Sequence, residues 1–391
     1  MASLKPILKA IMKLINRLFN EPDESYFLLG PRGTGKSTVI KQRHPTALWV
    51  DLLLPQIFRS YLARPERLFE LVNASVDKNT VIIDEVQKAP SLLSVVHSII
   101  EEKRQFKFVL TGSSARKLKR VSANLLGGRA LKLVMHPFIA LELGDQFSID
   151  RSLKYGLLPI ILSSTDPAAS LQAYLQLYLQ EEIQAEGLVR NLEDFSRFLE
   201  AISFSHAAVL NVANIARECE VKRKTVENYI GVLIDLLLAY EITIFSKRAK
   251  RKLVSHNKFY LFDCGVFRAL RPSGPLDRKE EIEGAALEGL VAQNLRAWID
   301  YSKEKMSIHY WRTPSGLEVD FIIYGENFFW AIEVKNSQRV HETDTKALQE
   351  FLKDYPTAKA FLLYRGNEQL NIKNILCMPV EKFLKNLPWP N

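Results

Sequence analysis

Cysteine is scarce in these 391 residues: Cys219, Cys264 and Cys377 lie far apart and form no CxxC pair. That argues against a disulfide framework or a cysteine-held zinc site and fits a reducing cytoplasm. No run reaches the roughly 18 unbroken apolar residues that a membrane-spanning helix needs. The first twenty residues are apolar but broken by Lys5, Lys9, Lys13 and Arg17, so they lack the continuous apolar centre of a secretory signal. Those cations recur every fourth residue, which predicts an amphipathic helix over residues 1–20, packed on the protein body or lying on a membrane surface. Internal repeats and low-complexity tracts are absent, the histidines show no metal spacing, and no Ser-His-Asp set is readable.

What is present describes a soluble globular chain, 47% hydrophobic and 25% charged, long enough for two or three domains. Lys and Arg number 53 against 44 Asp and Glu, a net charge of +9. Such a surplus suits a polyanionic partner such as nucleic acid, or a basic solvated surface with no partner at all.

Short apolar runs at 26–29, 47–54, 81–83, 108–110 and 131–135 alternate with helical stretches, the pattern of a parallel sheet covered by helices. Residues 171–204 carry leucines and tyrosines at helical spacing and predict one or two long helices. Beyond residue 241 strand-like runs return at 242–245, 258–262, 319–324, 328–334 and 360–364, with helices over 284–301 and 343–355. The predicted fold class is α/β, in four segments: a helix over 1–20, a parallel sheet covered by helices over 21–140, a helical and winged-helix-like segment over 141–245, and a second α/β domain over 246–391.

The residues Gly30, Pro31, Arg32, Gly33, Thr34, Gly35, Lys36 and Ser37, followed by Thr38, fit G-x-x-x-x-G-K-[ST] after an apolar run. A strand delivers the chain, the glycines turn backbone N–H groups inward around phosphates, and the next helix offers its positive end. Lys36 is placed to reach the β- and γ-phosphates of ATP, and Ser37 to ligate Mg²⁺. The buried run 81–83 then ends in Asp84 and Glu85. In that context Asp84 holds the Mg²⁺ and Glu85 orients and deprotonates the attacking water. Asp51, at the end of the second run, stands near this site or caps a turn.

These motifs, together with Val86, Gln87, Lys88, Ala89 and Pro90 and the stretch 108–114, resemble the AAA superfamily of P-loop ATPases, in the group of predicted bacterial and archaeal ATPases. The resemblance implies a polar sensor of the γ-phosphate at Thr111 or Ser113. The stretch Leu126, Gly127, Gly128, Arg129 is similar to the family's Gly-Arg segment. It implies that Arg129 stabilises the transferring phosphoryl group, in cis or from a neighbouring copy in a homo-oligomer; otherwise Arg129 is a surface residue at a helix end.

Around residues 210–229 the apolar positions Ile215, Val221, Val226 and Leu233 mark two helices joined by a tight turn, a helix-turn-helix arrangement. Lys222, Arg223, Lys224 and Thr225 open the second helix and are able to meet DNA phosphates and base edges. Lys247, Arg248, Lys250, Arg251 and Lys252 follow as a basic wing. The same arrangement also serves as a lid or a protein dock.

In the last third, Glu288 sits in a helical stretch, Asp320 in one strand-like run, and Glu333 and Lys335 two apart in the next, hence on one face. A hairpin joining the runs brings the carboxylates together, a setting for Mg²⁺ with a lysine positioning hydroxide against a phosphodiester. This E…D…ExK set resembles the PD-(D/E)XK nuclease superfamily, with Val319 where the motif has proline. The C-terminal part is also similar to the domain of unknown function that follows this type of ATPase, through features at 174–182, 258–263 and 284–288. Two readings stand: an ATP-controlled nuclease, or an ATP-driven switch whose C-terminal half binds DNA or a protein without cutting.

Overall fold

Five short apolar runs become five parallel strands: β1 (Tyr26–Leu29), β2 (Leu48–Asp51), β3 (Thr80–Asp84), β4 (Lys107–Gly112) and β5 (Leu131–Val134). The computed structural model describes residues 15–389 apart from 76–77, 103–105, 115–125, 127, 180–182, 184–188, 190 and 248–255. The chain divides into two units, Phe19–His136 with Ile234–Leu237, and Met1–Leu18, Pro137–Leu233 and Leu238–Asn391.

In the first unit the strand order is β2-β3-β4-β1-β5, and every pairing is parallel. A strand flanked on both sides and covered on its faces has no wet surface, which is why β1, β3 and β4 read as unbroken apolar runs. Val81, Ile83, Phe108 and Leu110 pack with Leu68 and Val72 of the helix Arg67–Ala74 and Leu92, Val96 and Ile99 of the helix Leu92–Glu101. Each such side chain contributes about 1.5–3 kcal/mol when fully buried. Because all five strands run the same way, their carboxyl ends share one edge.

The second unit holds a nine-stranded sheet. Its strands are β6 (Ala208–Val209), β7 (Ala239–Ile244), β8 (Lys258–Leu261), β9 (Met306–Arg312), β10 (Glu318–Gly325), β11 (Phe329–Lys335), β12 (Lys359–Tyr364), β13 (Leu370–Ile372) and β14 (Ile375–Pro379). They are ordered β13-β14-β12-β11-β10-β9-β7-β8-β6. Before β6 comes the helix Leu192–Ser203; Val212–Glu218 and Arg223–Asp235 follow it, and β8 then pairs antiparallel with both β6 and β7. The helix Lys279–Tyr301 precedes the antiparallel meander β9-β10-β11, and Lys346–Asp354 leads to β12, parallel to β11. The parallel pairing of β7 with β9 makes one sheet of the two groups. No helix among the described residues is long and apolar enough to cross a membrane.

One expectation is corrected. Residues 15–20 are not helical, and Arg17 is buried. Its guanidinium donates to Glu142 Oε1 at 3.0 Å, Tyr301 Oη at 2.9 Å and Pro137 O at 3.3 Å, partners that permit a cation to leave water. Lys5, Lys9 and Lys13 lie outside the described residues. Over 171–204, where one or two helices are expected, a π-helical turn Tyr174–Leu179 follows Pro167–Ala173, and Asn191 caps the helix Leu192–Ser203 through the amides of Glu193 and Asp194.

His206 shows how tightly the second unit is packed. Its ring stacks on Phe267, and Nδ1 accepts from the Leu261 amide at 3.1 Å, so the proton resides on Nε2. Nε2 faces Gly289, where an added Cβ would stand 2.1 Å away. Gly289→Ala should therefore lower stability by about 1–3 kcal/mol or more in a denaturant melt; an unchanged midpoint would refute this packing. Burial pushes the His206 pKa down to about 3. A depressed histidine pKa gives its full stability above about 6.5 and loses it as pH falls, by about 1.4 kcal/mol per unit. NMR should find this ring neutral at pH 5; an imidazolium there would contradict the burial argument.

Candidate functional site

The nucleotide motif follows β1 at the carboxyl edge of the first sheet. Gly33 and Gly35 have φ of 84° and 91°, a left-handed backbone that suits glycine and lets the loop close on itself before the helix Lys36–Arg43. The Gly30 amide donates to Gly112 O at 3.2 Å, fastening the loop to β4. The ammonium of Lys36, buried, folds back over the loop and donates to Gly30 O at 2.7 Å and Pro31 O at 3.2 Å. Thr34 is buried as well, its hydroxyl donating to Pro31 O at 2.8 Å.

β3 brings Asp84 to the same edge, in register with Asp51 of β2. Ser37 Oγ donates to Asp84 Oδ1 at 3.0 Å, and the Thr111 hydroxyl from β4 donates to the same oxygen. Thr111 Oγ1 in turn accepts the Glu85 amide at 3.1 Å. Asp84 is 1% exposed, and burial lifts its carboxyl above the usual range. The Thr111 and Ser37 bonds hold part of that shift back, while Glu85 and Asp51 add to it. A buried acid held by two hydroxyls offers hard oxygens, and Ser37 with Asp84 fits a Mg²⁺ ion beside phosphates.

Glu85 has φ of 60°, a left-handed turn that carries its side chain away from the strand. Gln87, in the 3₁₀ turn Val86–Lys88, donates to Glu85 Oε2 and lies 3.0 Å from Ser113 Oγ. In the sequence Gln87 is one residue of the stretch after Asp84; the turn that follows the strand brings it to Glu85.

Arg129 is not brought to this edge. It precedes β5, whose first residue pairs with Tyr26 at the amino end of β1, while the nucleotide loop leaves the carboxyl end. A four-residue strand, roughly 13 Å, separates the two ends. Arg129 instead pairs with Glu101 on the exposed surface. A role for it in cis at the phosphates is therefore corrected; Gly127 lies outside the described residues.

In the second unit Lys222, Arg223 and Lys224 are exposed at the start of the helix Arg223–Asp235, with Arg223 and Lys224 facing Glu227 and Thr225 half-buried. Lys247 is described; Arg248, Lys250, Arg251 and Lys252 lie outside the described residues.

The four residues Glu288, Asp320, Glu333 and Lys335 do come together. The register that pairs Phe321 with Ile332 sets Asp320 beside Glu333, and Asp320 Oδ2 accepts the Val334 amide at 2.9 Å. Lys335 Nζ reaches Glu333 Oε1 at 2.6 Å. Glu333 Oε2 is buried and has no hydrogen-bond partner among the described residues. Burial, with Asp320 close by, pushes the Glu333 carboxyl well above its usual range. A fifth residue stands among them. Lys258 of β8 donates to Glu288 Oε1 at 2.9 Å and Asp320 Oδ1 at 3.4 Å, and also pairs with Glu318. Burial works against its charge, but Glu288, Asp320 and Glu318 hold the ammonium well above its ordinary pKa. No group of three or more His, Cys, Asp or Glu among the described residues is arranged to hold a metal ion.

Residues 22–144 match a family model described as AAA domain. Residues 146–277 and 283–383 match two domains of unknown function, DUF8612 and DUF4143. No curated protein matches the sequence. Among solved structures, a Walker-type ATPase of Pyrococcus abyssi is 15% identical, covering 69% of this chain and 95% of its own, at a TM-score of 0.45. Replication initiator DnaA, bound to AMPPCP and single-stranded DNA, is 13% identical, covering 59% and 86%, at 0.27. PCH-2 of C. elegans is 12% identical, covering 59% and 68%, at 0.23. The parallel sheet, the loop after β1 and the family match agree: residues 22–144 are an AAA-type P-loop ATPase domain.

Proposed function

We propose that the chain is a Mg-ATP-hydrolysing switch whose nucleotide state governs a nucleic-acid-binding C-terminal half. The observation that carries the hydrolytic part is the line of hydrogen bonds from Ser37 through Asp84 and Thr111 to Glu85, continued through Gln87 to Ser113. Backbone N–H groups of residues 32–38, Arg32 and Thr38 among them, surround the phosphates, and Lys36 neutralises the β- and γ-oxygens. Ser37 and Asp84 hold Mg²⁺, which when bound offsets charge on the phosphoryl oxygens. Glu85 takes the proton of the attacking water, and Gln87 fixes the carboxylate that does so. Thr111 is committed to Asp84, which leaves Ser113, within 3.5 Å of Glu85 Oε2, as the sensor of the γ-phosphate. In this reading Arg129 serves the nucleotide of a neighbouring copy.

The nucleic-acid part is supported by the order helix, β6, two helices, β7, β8, which is that of a winged helix, and by the exposed Lys222, Arg223 and Lys224 at its second helix-turn. The net charge of +9 agrees with contacts to phosphates. A second reading, Mg-dependent cleavage, is favoured by the order helix, three-strand meander, helix, parallel strand and by the meeting of Glu288, Asp320, Glu333 and Lys335.

Calorimetry should register ATP binding that Lys36→Ala abolishes. Glu85→Gln should bind ATP while turnover falls about 10²–10⁴-fold; the parental rate in that variant would remove Glu85 as the base. Duplex DNA should bind at about 50 mM salt and weaken about 10-fold or more by 200 mM. Replacing Lys222, Arg223 and Lys224 with alanine should weaken it further, and no binding at low salt would sink the nucleic-acid part.

A further inference from the structure

We propose that Lys258 is the resident cation of the carboxylate cluster in the second unit, so that this site admits no divalent metal while Lys258 is in place. The inference sharpens the choice between binding and cleavage and uses the second unit alone, so it survives or fails independently of ATP hydrolysis.

The ammonium sits where the acids converge. It has three N–H donors and three carboxylate partners, on Glu288 at 2.9 Å, Asp320 at 3.4 Å and Glu318, so its bonding capacity is filled. Lys258 is 1% exposed and stands over the Tyr310 ring, with its Nζ 5.7 Å from the centroid. It is part of the interior, not a surface lysine that has swung inward. The oxygens around it are otherwise engaged. Glu288 Oε1 also accepts the Tyr260 hydroxyl at 2.6 Å, Asp320 Oδ2 the Val334 amide, and Glu333 Oε1 the Lys335 ammonium. Arg312 pairs with Glu318 Oε2 at 3.1 Å.

The charges nearly cancel without any ion. Glu288, Glu318, Asp320 and Glu333 supply four acids; Lys258, Lys335 and Arg312 supply three cations. Mg²⁺ takes about six oxygens in a near-octahedral shell. To enter here it must displace an ammonium whose stem is enclosed by the fold, or share the same carboxylates with it. Glu333 Oε2 is the one buried side-chain oxygen of the cluster without a partner among the described residues, and one oxygen does not make a metal site. The lysine therefore does structurally what a metal does in a nuclease: it gathers acids from β10 and the helix Lys279–Tyr301 onto one point, and ties them to β8.

The experiment is a thermal melt of the nucleotide-free 391-residue chain with and without MnCl₂ at about 1 mM, in the range that saturates a site of moderate affinity. The parent should show no shift that depends on Asp320, so Asp320→Asn should respond to Mn²⁺ as the parent does. Lys258→Met, which keeps the stem but removes the charge, should melt lower and recover by roughly 3 °C or more with Mn²⁺. Adding Asp320→Asn to Lys258→Met should abolish the recovery. A Mn²⁺ shift in the parent that Asp320→Asn removes would overturn the proposal, as would Mn²⁺-dependent DNA cleavage by the parent that Asp320→Asn abolishes. Those two arms need only the parent and Asp320→Asn, so they decide the matter even if Lys258→Met does not fold. If Lys258→Met folds and gains no Mn²⁺ response, the cluster is not a metal site with its ion replaced, and the proposal also fails.

Discussion

A carboxylate taken out of water has to be answered by a donor or a cation, and both sites in this chain are organised by how that demand is met. Asp84 and Asp320 are 1% and 7% exposed, each on a strand deep in its own sheet. Asp84 is answered by two hydroxyls, of Ser37 and Thr111. Hydroxyls donate one hydrogen each and carry no charge, so the acid keeps its attraction for a cation, and burial strengthens that attraction. Asp320 is answered by the Lys258 ammonium and a backbone amide. Its charge is already spent. The same side chain in a similar setting thus has opposite chemical prospects, decided by whether its neighbour is neutral or positive.

Backbone geometry delivers those neighbours. In the first unit, parallel strands place their ends on one edge, so Asp84, Glu85 and Thr111 meet the loop after β1 without long side chains reaching across the sheet. In the second unit a bulge does the comparable work. Val319 and Ile322 both enter the same apolar cluster although they are three apart, which strict strand alternation does not allow. The register shift between them against β9 accounts for it. Through that shift Asp320 turns to the side where Lys258 and Glu288 stand.

What could be read from the sequence follows from the same distinction. The phosphate loop was legible because its residues are contiguous and its chemistry is carried by backbone. Asp84 and Glu85 were legible as a strand end, and Glu288, Asp320, Glu333 and Lys335 as a known spacing. Gln87 was not, because its role depends on the left-handed turn at Glu85. The place of Arg129 stayed open between cis, a neighbouring copy and the bare surface because a short motif carries no register, and it is the pairing of Leu131 with Tyr26 that sets it at the far edge. The burial of Arg17 was not legible because its partners Glu142 and Tyr301 lie far along the chain. Lys258, which the sequence shows only as the first residue of the stretch 258–263, could be given no role there. It reaches Glu288 and Asp320 only because β7 pairs with β9 and joins two groups of strands into one sheet.

That junction also bears on why a buried ionic cluster is present at all. Ion clusters in protein interiors seldom add stability beyond what apolar side chains of the same volume provide, since desolvation offsets most of the attraction. Removing one partner, by contrast, costs about 3–5 kcal/mol, because a charge is left buried and alone. An interaction that gains little when correct and costs much when wrong acts on specificity. Here it penalises any arrangement in which β8 slides along β7 or β10 loses its bulge, since either would strand Glu288 or Asp320 without Lys258. The cluster therefore fixes the register between the three-helix segment with its antiparallel strands and the meander that follows. A divalent ion would gather the same carboxylates, but it would come and go with its concentration, whereas a lysine carried on β8 makes the junction a permanent property of the chain.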